Sequence, residues 1–423
     1  MNVLWITNIL FPEAERMLTG TGELKSSGGW MLGAANALLQ NCKIELAVAS
    51  VSDKVKKLTR IKGKKITYYI LPKCKGNEKI NMNYCPCWQQ VSKELKPDIV
   101  HIHGTEYSHG YAYMVACGCD NIVISIQGLT SAYYYYYYYG MTKKDIYRNM
   151  TFRDVLRGSI LKGQKLFKER AVHEVAMLKM AKHVIGRTSW DKARVWAINP
   201  NAKYHFCNET LRAEFYDGAE WKYDKCNKHS IFLSQAGYPI KGLHQVLKAM
   251  PLILQHYPDA QIRVAGTDIT KSESIVEKVR LAGYGKYIKS LISKYDLKGK
   301  VMFTGNLNAE QMKSEYLNAN VFVCPSSIEN SPNSLGEAQI LGTPCIASYV
   351  GGVMDMMKGN ERNLYRFEEI EMLAEKVCRL FADGSKQIDM IETASKRHCQ
   401  IDNAVQLYHI YQSIKEIRNE TFE

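Results

Sequence analysis

The stretch that decides the fold spans residues 325–352 and reads PSSIENSPNSLGEAQILGTPCIASYVGG. An apolar strand is predicted over Val321–Cys324 before it, and a second strand, Pro344–Ser348, lies at its end. Between the two strands, a polar run of Asn, Ser and Pro changes into a helix of small residues. Glu329 therefore lies on the loop after a strand, and Glu337 lies within the first turn or so of a helix.

Glu329 and Glu337 are each placed to accept hydrogen bonds from a different set of hydroxyl groups. A helix N-terminus offers backbone N–H groups and a partial positive charge, which together favour binding of a diphosphate. Behind such an anion, Glu337 can accept hydrogen bonds from ribose hydroxyls, and Glu329 can reach the hydroxyls of a sugar. The stretch therefore indicates a site for a nucleotide joined to a sugar.

The same stretch resembles the Glu-x7-Glu signature of retaining glycosyltransferases with the GT-B fold, specifically glycosyltransferase family 4. Residues 1–7, 97–104 and 238–243 resemble other segments of that family in the same order. The resemblance implies two Rossmann-like, doubly wound α/β domains that face each other across a cleft. It also implies retaining transfer of a sugar from a UDP- or GDP-linked donor to a hydroxyl of a glycan or lipid-linked acceptor. In this family, such a reaction typically belongs to bacterial surface polysaccharide biosynthesis (capsule, exopolysaccharide or O-antigen).

Chain length and the order of the predicted elements agree with two domains. The 423 residues exceed one ordinary domain. Short apolar strands alternate with helices twice along the chain, which predicts two doubly wound α/β domains. One helix is predicted over residues 275–295. We expect an N-terminal acceptor-binding domain over 1–212, a C-terminal domain that binds the nucleotide sugar over 213–400, and a final helix over 401–423 that crosses back to the first domain, as the resemblance implies.

Three residues are predicted to be catalytic, namely His103, Lys241 and Glu329. His103 ends a predicted strand, at the edge where ligands of α/β sheets bind, and the resemblance implies contact with the donor sugar; His101 is assigned to the core. Lys241 follows a strand and a short loop, where a cation can stabilise the departing diphosphate. The family usually has an arginine five residues before this lysine, where this chain has Ala236. Two alternatives follow: Gln235, Tyr238 or a basic residue elsewhere takes the place of the arginine, or phosphate contact rests on Lys241 and helix N–H groups.

Donor-binding residues are predicted in both domains. Gly28 and Gly29 precede the first helix, where the lack of side chains lets the backbone approach a phosphate or an acceptor. Leu307 follows a strand at a position where the resemblance implies backbone contact with the nucleobase, and Asn208 matches a hinge-side asparagine of the family. The complete predicted donor set is Gly28, Gly29, Leu307, Asn333, Ser334, Leu335 and Glu337.

Seven consecutive tyrosines, Tyr133–Tyr139, follow a predicted strand. No regular structure buries all seven side chains, and aromatic rings stack on sugars or lie at membrane interfaces. We therefore predict Tyr133 and Tyr134 on the acceptor side, with a half-buried element and solvated hydroxyls as the alternative. Arg187 is assigned to the same side, although it can equally cap a helix.

No metal or other cofactor is expected. The sequence has no Asp-x-Asp pair, the metal-binding motif of the other main glycosyltransferase fold, so the resemblance implies that Lys241 and helix N–H groups stabilise the charge. Twelve cysteines in a chain of this length indicate reduced thiols. The pairs Cys85/Cys87 and Cys117/Cys119 lack the spacing of zinc ligands, and we interpret them as small apolar residues.

The positive charge lies in the N-terminal half. Residues 1–212 contain 31 Lys and Arg against 16 Asp and Glu, whereas residues 213–423 contain 25 against 26. The densest basic runs occur at 54–65 and 153–182. No nucleic-acid-binding motif accompanies them, so no nucleic acid partner is expected. An anionic membrane surface fits the basic N-terminal domain better, and ordinary solvated faces are the equal alternative.

The expected location is cytoplasmic, with peripheral contact at the inner face of a membrane. The sequence has no run of 18 apolar residues, and its N-terminus lacks the pattern of a signal peptide.

Two other functions fit parts of the pattern. A nucleotide-sugar epimerase can share the GT-B fold and acts on the donor without an acceptor. A non-catalytic subunit that binds a nucleotide sugar is the second alternative, because Ala236 occupies the position of the expected arginine. Fold alone does not separate these functions.

Overall fold

A computed structural model describes residues 1–20, 29–74, 80–383 and 388–422. The described chain forms two compact units. The first unit contains residues 1–132, 166–213 and 397–423, and the second contains residues 133–165 and 214–396.

Strands and helices alternate along both units. The strands are β1 (Asn2–Thr7), β2 (Glu45–Ser52), β3 (Thr59–Lys62), β4 (Ile66–Pro72), β5 (Ile99–His103), β6 (Ile122–Ser125), β7 (His183–Gly186), β8 (Lys203–Phe206), β9 (Asn227–Leu233), β10 (Gln261–Val264), β11 (Val301–Phe303), β12 (Ala319–Cys324), β13 (Cys345–Ser348) and β14 (Leu364–Tyr365). The helices are α1 (Pro12–Thr19), α2 (Gly29–Asn41), α3 (Cys85–Leu95), α4 (Ser108–Cys117), α5 (Thr130–Tyr133), α6 (Lys143–Arg148), α7 (Phe152–Arg157), α8 (Ile160–Met180), α9 (Ser189–Ile198), α10 (Leu243–His256), α11 (Ile275–Arg280), α12 (Gly283–Lys294), α13 (Ala309–Asn318), α14 (Asn333–Ile340), α15 (Val353–Met356), α16 (Ile370–Ala382), α17 (Ile388–Arg397) and α18 (Gln400–Phe422).

The first unit contains an eight-stranded sheet in the order β3-β4-β2-β1-β5-β6-β7-β8. All neighbouring strands are parallel except β3 and β4. From β1 the chain builds one side of the sheet through β2, and it later returns to the other side of β1 with β5. The boundary between β1 and β5 is therefore the topological switch point, where ligands of such sheets bind at the carboxyl ends of the strands.

Strand β1 shows why these segments form central parallel strands. Residues Val3 to Ile6 are all apolar and buried, which is the pattern of a strand covered on both faces. The final helix, α18, packs against α2 within this unit. Its Tyr411 hydroxyl accepts a hydrogen bond from Trp5 Nε1 at 3.0 Å and lies 2.6 Å from His101 Nδ1. His101 is thus a core residue, as predicted.

The second unit contains a six-stranded parallel sheet in the order β11-β10-β9-β12-β13-β14. Its topological switch point lies between β9 and β12. In β9, Ile231 and Leu233 belong to one apolar core and Phe232 belongs to another. Both faces of the sheet are therefore covered, and the predicted doubly wound α/β fold class is confirmed.

Two details differ from the sequence prediction. The predicted single helix over 275–295 is wrong, because the chain breaks into α11 and α12 at Leu281, which is extended. A side chain at Gly285 would also collide with the carbonyl oxygen of Ile269, at 2.0 Å. Residues 133–165, which the sequence prediction includes in the first domain, group with the second unit.

Hydrogen bonds show how this segment joins the second unit. Ser327 Oγ donates to the carbonyl oxygen of Tyr136 at 2.8 Å. His244 Nε2 lies 3.0 Å from the carbonyl oxygen of Tyr139, and Lys248 Nζ donates to that of Gly140 at 2.8 Å. Since the contacts use backbone oxygens, they fix the path of the tyrosine run rather than its rings.

Candidate active site

A lysine–glutamate pair occupies the switch point of the second unit. Lys241 ends a 3₁₀ turn after β9, and Glu329 lies on the loop after β12. Lys241 Nζ donates to Glu329 Oε1 at 2.6 Å, and Ser326 Oγ donates to the same oxygen at 2.8 Å. The structure therefore brings together two of the three predicted catalytic residues, which are 88 positions apart in the chain.

Two glycines allow the loops around this pair to pack closely. Gly242, directly after Lys241, has a φ of +72°, and a Cβ there would lie 1.7 Å from the carbonyl oxygen of Pro325. A Cβ at Gly351 would lie 1.9 Å from the carbonyl oxygen of Glu329. Only glycine fits at either position. The backbone of the two loops is also linked directly, because Ser327 N donates to the carbonyl oxygen of Ile240 at 2.8 Å.

The surroundings of Lys241 keep its ammonium charged. Burial by itself lowers the pKa of Lys241, but the nearby Glu329 carboxylate raises it, with smaller contributions from Tyr238 and from the hydrogen bond, and the net pKa lies above the usual value. The lysine side chain is 19% exposed. A charged group that remains partly accessible at a switch point can contact an anionic ligand.

Helix α14 supplies the second predicted element of the donor site. Its N-cap residue is Pro332, which makes no side-chain capping hydrogen bond. Asn333 and Ser334 form that turn and are partly exposed. Leu335 is fully buried, and its N–H bonds to the carbonyl oxygen of Pro332 at 3.0 Å. The side chain of Leu335 therefore belongs to the core, and the first two N–H groups are the ones placed for an anion.

Glu337 lies one turn further along α14 and is 5% exposed. The Tyr316 hydroxyl donates to its Oε2 at 3.4 Å. Leu307, predicted for the nucleobase, follows β11 and packs against the core that contains Tyr316 and Phe322. Glu337 and Leu307 thus both border this core of the second unit.

The predicted glycine pair belongs to the first unit. Gly28 lies outside the described residues. Gly29 begins α2, and a Cβ there would lie 3.2 Å from Cγ of Arg212. Close packing against a neighbouring side chain is a structural reason for glycine at this position.

His103 ends β5 and lines a cavity of about 40 Å³ within the first unit. It is 6% exposed, and among the described residues neither ring nitrogen has a hydrogen-bond partner. Its ring stacks on His101 with centroids 3.7 Å apart. Burial, together with the charge of Arg187, lowers the pKa of His103 to about 3, so the imidazole is neutral. One nitrogen of a neutral imidazole carries a proton and the other does not, so the His103 ring can donate one hydrogen bond and accept another.

Arg187 lies against the same cavity, after β7, and its side chain is 4% exposed. It forms an ion pair with Glu209 and donates from Nη2 to the carbonyl oxygen of Ile126 at 2.5 Å. Gln127 Nε2 donates to Glu209 Oε1 at 2.6 Å. Arg187 is therefore held by groups of the first unit, and Asn208 lines the cavity beside it.

The predicted acceptor-side tyrosines group with the second unit. Tyr133 and Tyr134 begin the segment that groups with the second unit, and the carbonyl oxygen of Tyr134 accepts from Gln164 Nε2 at 2.9 Å. The structure does not bring these tyrosines together with Arg187 in one unit.

The sequence prediction missed a second polar pair, Asn8 and Glu106. Asn8 directly follows β1, Glu106 follows β5, and Asn8 Nδ2 donates to Glu106 Oε2 at 2.9 Å. The pair therefore spans the switch point of the first unit, as Lys241 and Glu329 span that of the second. The signal was present in the sequence, because both residues come within three positions of a predicted strand end.

The surroundings of Glu106 raise its pKa to about 7. Burial is the largest cause, and the nearby Glu174 carboxylate adds to it, whereas hydrogen bonds, including that from Asn8, oppose it. The carboxyl group can thus change protonation near neutral pH.

Within residues 1–20, 29–74, 80–383 and 388–422, no group of three His, Cys, Asp or Glu side chains is placed to hold a metal ion. In the same residues, no helix has the length and apolar character that crossing a membrane requires.

Comparison with known proteins identifies the second half of the chain most directly. Residues 220–397 match the family model of glycosyl transferases group 1. An uncharacterized glycosyltransferase of Methanocaldococcus jannaschii is 26% identical over 170 residues, which is 40% of either chain. The D-inositol 3-phosphate glycosyltransferase of Corynebacterium urealyticum is 28% identical over 191 residues, 43% of this chain and 42% of that protein. The matches thus span less than half the length of these relatives.

Solved structures match the whole chain in fold. Sucrose-phosphate synthase from Thermosynechococcus elongatus superimposes with a TM-score of 0.69 at 17% identity over 98% of both chains. Anabaena HepE in complex with UDP gives a TM-score of 0.62 at 13% identity, over 98% of this chain and all of the other. The chain therefore has the two-domain α/β fold of these GT-B structures, and residues 220–397 are similar to glycosyl transferases group 1.

Proposed function

We propose that this protein is a retaining glycosyltransferase of family 4 that moves a sugar from a UDP- or GDP-linked donor to a hydroxyl of a glycan or lipid-linked acceptor. The observation that carries the proposal is the Lys241–Glu329 pair at the switch point of the second unit. This pair lies within the residues that match the glycosyltransferase model. Helix α14 begins four residues after Glu329, and its N-cap residue Pro332 makes no side-chain capping bond.

Each group of this site has a chemical role in the proposal. Lys241 and the N–H groups of Asn333 and Ser334 bind the diphosphate and stabilise the charge that develops on it. Glu329 orients the sugar hydroxyls, and buried Glu337 accepts from the ribose. The Lys241–Glu329 contact supports this division, because the carboxylate fixes the ammonium in place before a ligand binds.

Transfer follows the front-face scheme of the family. The acceptor oxygen forms a bond to the anomeric carbon on the side from which the diphosphate leaves. The bond from that carbon to the phosphate oxygen breaks, and the acceptor proton passes to the departing phosphate. No covalent enzyme intermediate is needed, and the anomeric configuration is retained.

The first unit is proposed to hold the acceptor, with His103 near the donor sugar. Support comes from polar groups at the carboxyl ends of its strands: the unused nitrogens of His103 and the Asn8–Glu106 pair. A carboxyl group fixed by an asparagine at a switch point is suited to bind a sugar hydroxyl.

We further propose that catalysis needs no metal, because Lys241 and the α14 N–H groups supply positive charge at the phosphate. Surface polysaccharide biosynthesis, with peripheral contact at an anionic membrane, is the proposed setting. The excess of basic residues supports the membrane contact.

Mass spectrometry of products from a panel of UDP- and GDP-linked sugars, offered with glycans and with bacterial lipid extracts, tests the transferase proposal. We expect one donor to give a product heavier than its acceptor by one sugar residue, with the donor's anomeric configuration by NMR. Glu337→Ala should abolish donor binding in calorimetry, whereas Glu371→Ala, an exposed glutamate of the same unit, should not.

The alternative functions give different results in the same assays. Conversion of the sugar nucleotide without any acceptor would identify an epimerase. Donor binding without hydrolysis or transfer across the panel would identify a non-catalytic subunit. This outcome is tested because Ala236 occupies the position of the arginine that the family usually has.

A further inference from the structure

Helix α7 presents its apolar side to solvent. Phe152, Val155 and Leu156 are 63%, 69% and 66% exposed, whereas Asp154 between them is buried. Apolar residues at i, i+3 and i+4 form one face of a helix and ordinarily face a protein core. In α7 the orientation is reversed.

Contacts of Asp154 explain the reversal. Its backbone N–H bonds to Thr151 Oγ1 at 3.3 Å, and its Oδ2 accepts from the N–H of Thr151 at 3.2 Å, which forms a capping box. A Cβ at Gly283, the first residue of α12, would lie 2.4 Å from Asp154 Oδ2. Because the polar side of α7 is fixed against α12, the apolar side has no place in the core of this unit.

The exposed apolar area continues onto neighbouring elements. Helix α11 is next to α7, and its Ile275, Val276 and Val279 are 80%, 57% and 48% exposed. Tyr147 and Met150, just before α7, are exposed as well. We call this set the apolar–basic surface; its apolar members are Tyr147, Met150, Phe152, Val155, Leu156, Ile275, Val276 and Val279. Isolated exposed apolar residues are common, but a cluster on two adjacent helices indicates a binding surface.

The segments that carry these side chains are rich in basic residues. Residues 143–162 and 271–286 together contain ten Lys and Arg against four Asp and Glu, and one of the four acids is the buried Asp154. Lys286 Nζ lies 3.4 Å from the carbonyl oxygens of Arg148 and Met150, which places a cation of α12 at the edge of the surface.

We propose that the apolar–basic surface docks the protein on an anionic phospholipid bilayer. The side chains of α7 and α11 enter the boundary between headgroups and acyl chains, and the surrounding Lys and Arg contact lipid phosphates. A second copy of the chain fits less well, because a symmetric contact would place two strongly basic surfaces together. The proposal refines the membrane contact of the proposed function, but vesicle binding does not depend on sugar transfer and is tested separately from it.

The surface differs from the one that the sequence suggests. The basic run at 54–65 belongs to the first unit, and the run at 153–182 is divided between the two units. Residues 143–162 and α11 both belong to the second unit.

Co-sedimentation of the full chain with vesicles tests the proposal. We expect binding to phosphatidylcholine mixed with phosphatidylglycerol, weaker binding to phosphatidylcholine alone, and a decrease with added salt. The variant Phe152→Ser/Val155→Ser/Leu156→Ser should lower the partition coefficient on anionic vesicles about tenfold or more. Arg148→Gln/Arg157→Gln should lower it and also reduce the salt dependence.

Matched control variants in the first unit test whether the loss of vesicle binding is specific to the apolar–basic surface. Val115→Ser/Val172→Ser/Ile401→Ser removes three exposed apolar side chains of the first unit, and Lys56→Gln/Lys57→Gln/Lys64→Gln removes charge from its basic run. Neither should change the partition coefficient by more than about twofold. All variants replace exposed residues and should keep the wild-type thermal midpoint.

Three results would overturn the proposal. The first is equal vesicle binding by the wild type and the α7 triple variant, and the second is a stronger loss of binding in the first-unit controls. The third is a dimer in solution that the α7 variant converts to a monomer, which would assign this surface to self-association.

Discussion

Gly242→Ala tests whether close approach of two loops positions the Lys241–Glu329 pair. An alanine Cβ at this position would lie 1.7 Å from the carbonyl oxygen of Pro325, whereas real Cβ atoms stay at least 3.0 Å from such neighbours. The loop after β9 and the loop after β12 must therefore separate by about 1.3 Å. Since Gly242 follows Lys241 and Pro325 begins the segment that leads to Glu329, the separation falls on the site itself.

The expected size of the effect follows from this displacement. A shift of about 1 Å in a binding group costs about a hundredfold in rate, or about 2.7 kcal/mol. The positive φ of residue 242 adds about 1–2 kcal/mol of backbone strain for any residue with a side chain. We expect Gly242→Ala to weaken nucleotide-sugar binding and to lower kcat/KM about a hundredfold, with a loss of stability larger than the φ strain alone.

Gly299→Ala is the matched control, because Gly299 has a φ of +78° and an added Cβ there meets nothing within 4 Å. It should show the backbone strain without the collision. The assays are calorimetric titration of the donor, initial rates of transfer, and scanning calorimetry of both variants. The reasoning is refuted if folded Gly242→Ala binds the donor as the wild type does, or if Gly299→Ala loses as much affinity.

Three further predictions concern charge and metal dependence. Lys241→Met should lower kcat/KM for transfer about a hundredfold or more, because the departing diphosphate loses its cation. Lys298 is an exposed lysine of the same unit, and Lys298→Met should leave kcat/KM unchanged. Unchanged kinetics in Lys241→Met would contradict the assigned role. The pKa of Glu106 in the folded chain is raised to about 7, whereas a glutamate in the unfolded chain titrates near its usual pKa of 4.5. The folded state therefore binds more protons between these two values, so the stability of the wild type should fall as pH rises through this window, by up to about 3 kcal/mol. Glu106→Gln should flatten that part of the curve in urea unfolding at pH values between about 4.5 and 8, and an equal slope in both proteins would show that Glu106 does not titrate there. Transfer should continue unchanged after treatment with EDTA and gel filtration; lost activity that Mg²⁺ or Mn²⁺ restores would disprove metal independence.

The part of the candidate site that lies in the second unit was largely visible in the sequence. Residues 325–352 combine a buried strand, a polar loop and a small-residue helix within one short segment, and each of these signals acts over a few residues. The prediction that Glu329 lies on the loop and Glu337 on the helix therefore agrees with the structure. The break between α11 and α12 was missed, because the pattern over residues 275–295 suggests one helix, whereas Leu281 is extended in the folded chain.

Contacts between residues far apart in the chain could not be predicted from such local signals. Asn8 and Glu106 are 98 positions apart, and the residues around either of them do not indicate that the two side chains are in contact. They meet because β1 and β5 are neighbours in the sheet. The order of the strands depends on how the helices pack against both faces of the sheet. Once the order is known, the carboxyl ends of adjacent strands bring their following residues together.

The sequence by itself determined the alternation of strands and helices, the two-domain α/β class and the positions of Lys241, Glu329 and Glu337 at strand and helix ends, because these depend on local apolar patterns and helix termini. Only the tertiary structure decided that Lys241 contacts Glu329, that residues 133–165 join the second unit and that the apolar side of α7 faces solvent. These features depend on which surfaces are buried against each other, and burial is a property of the assembled chain rather than of any segment.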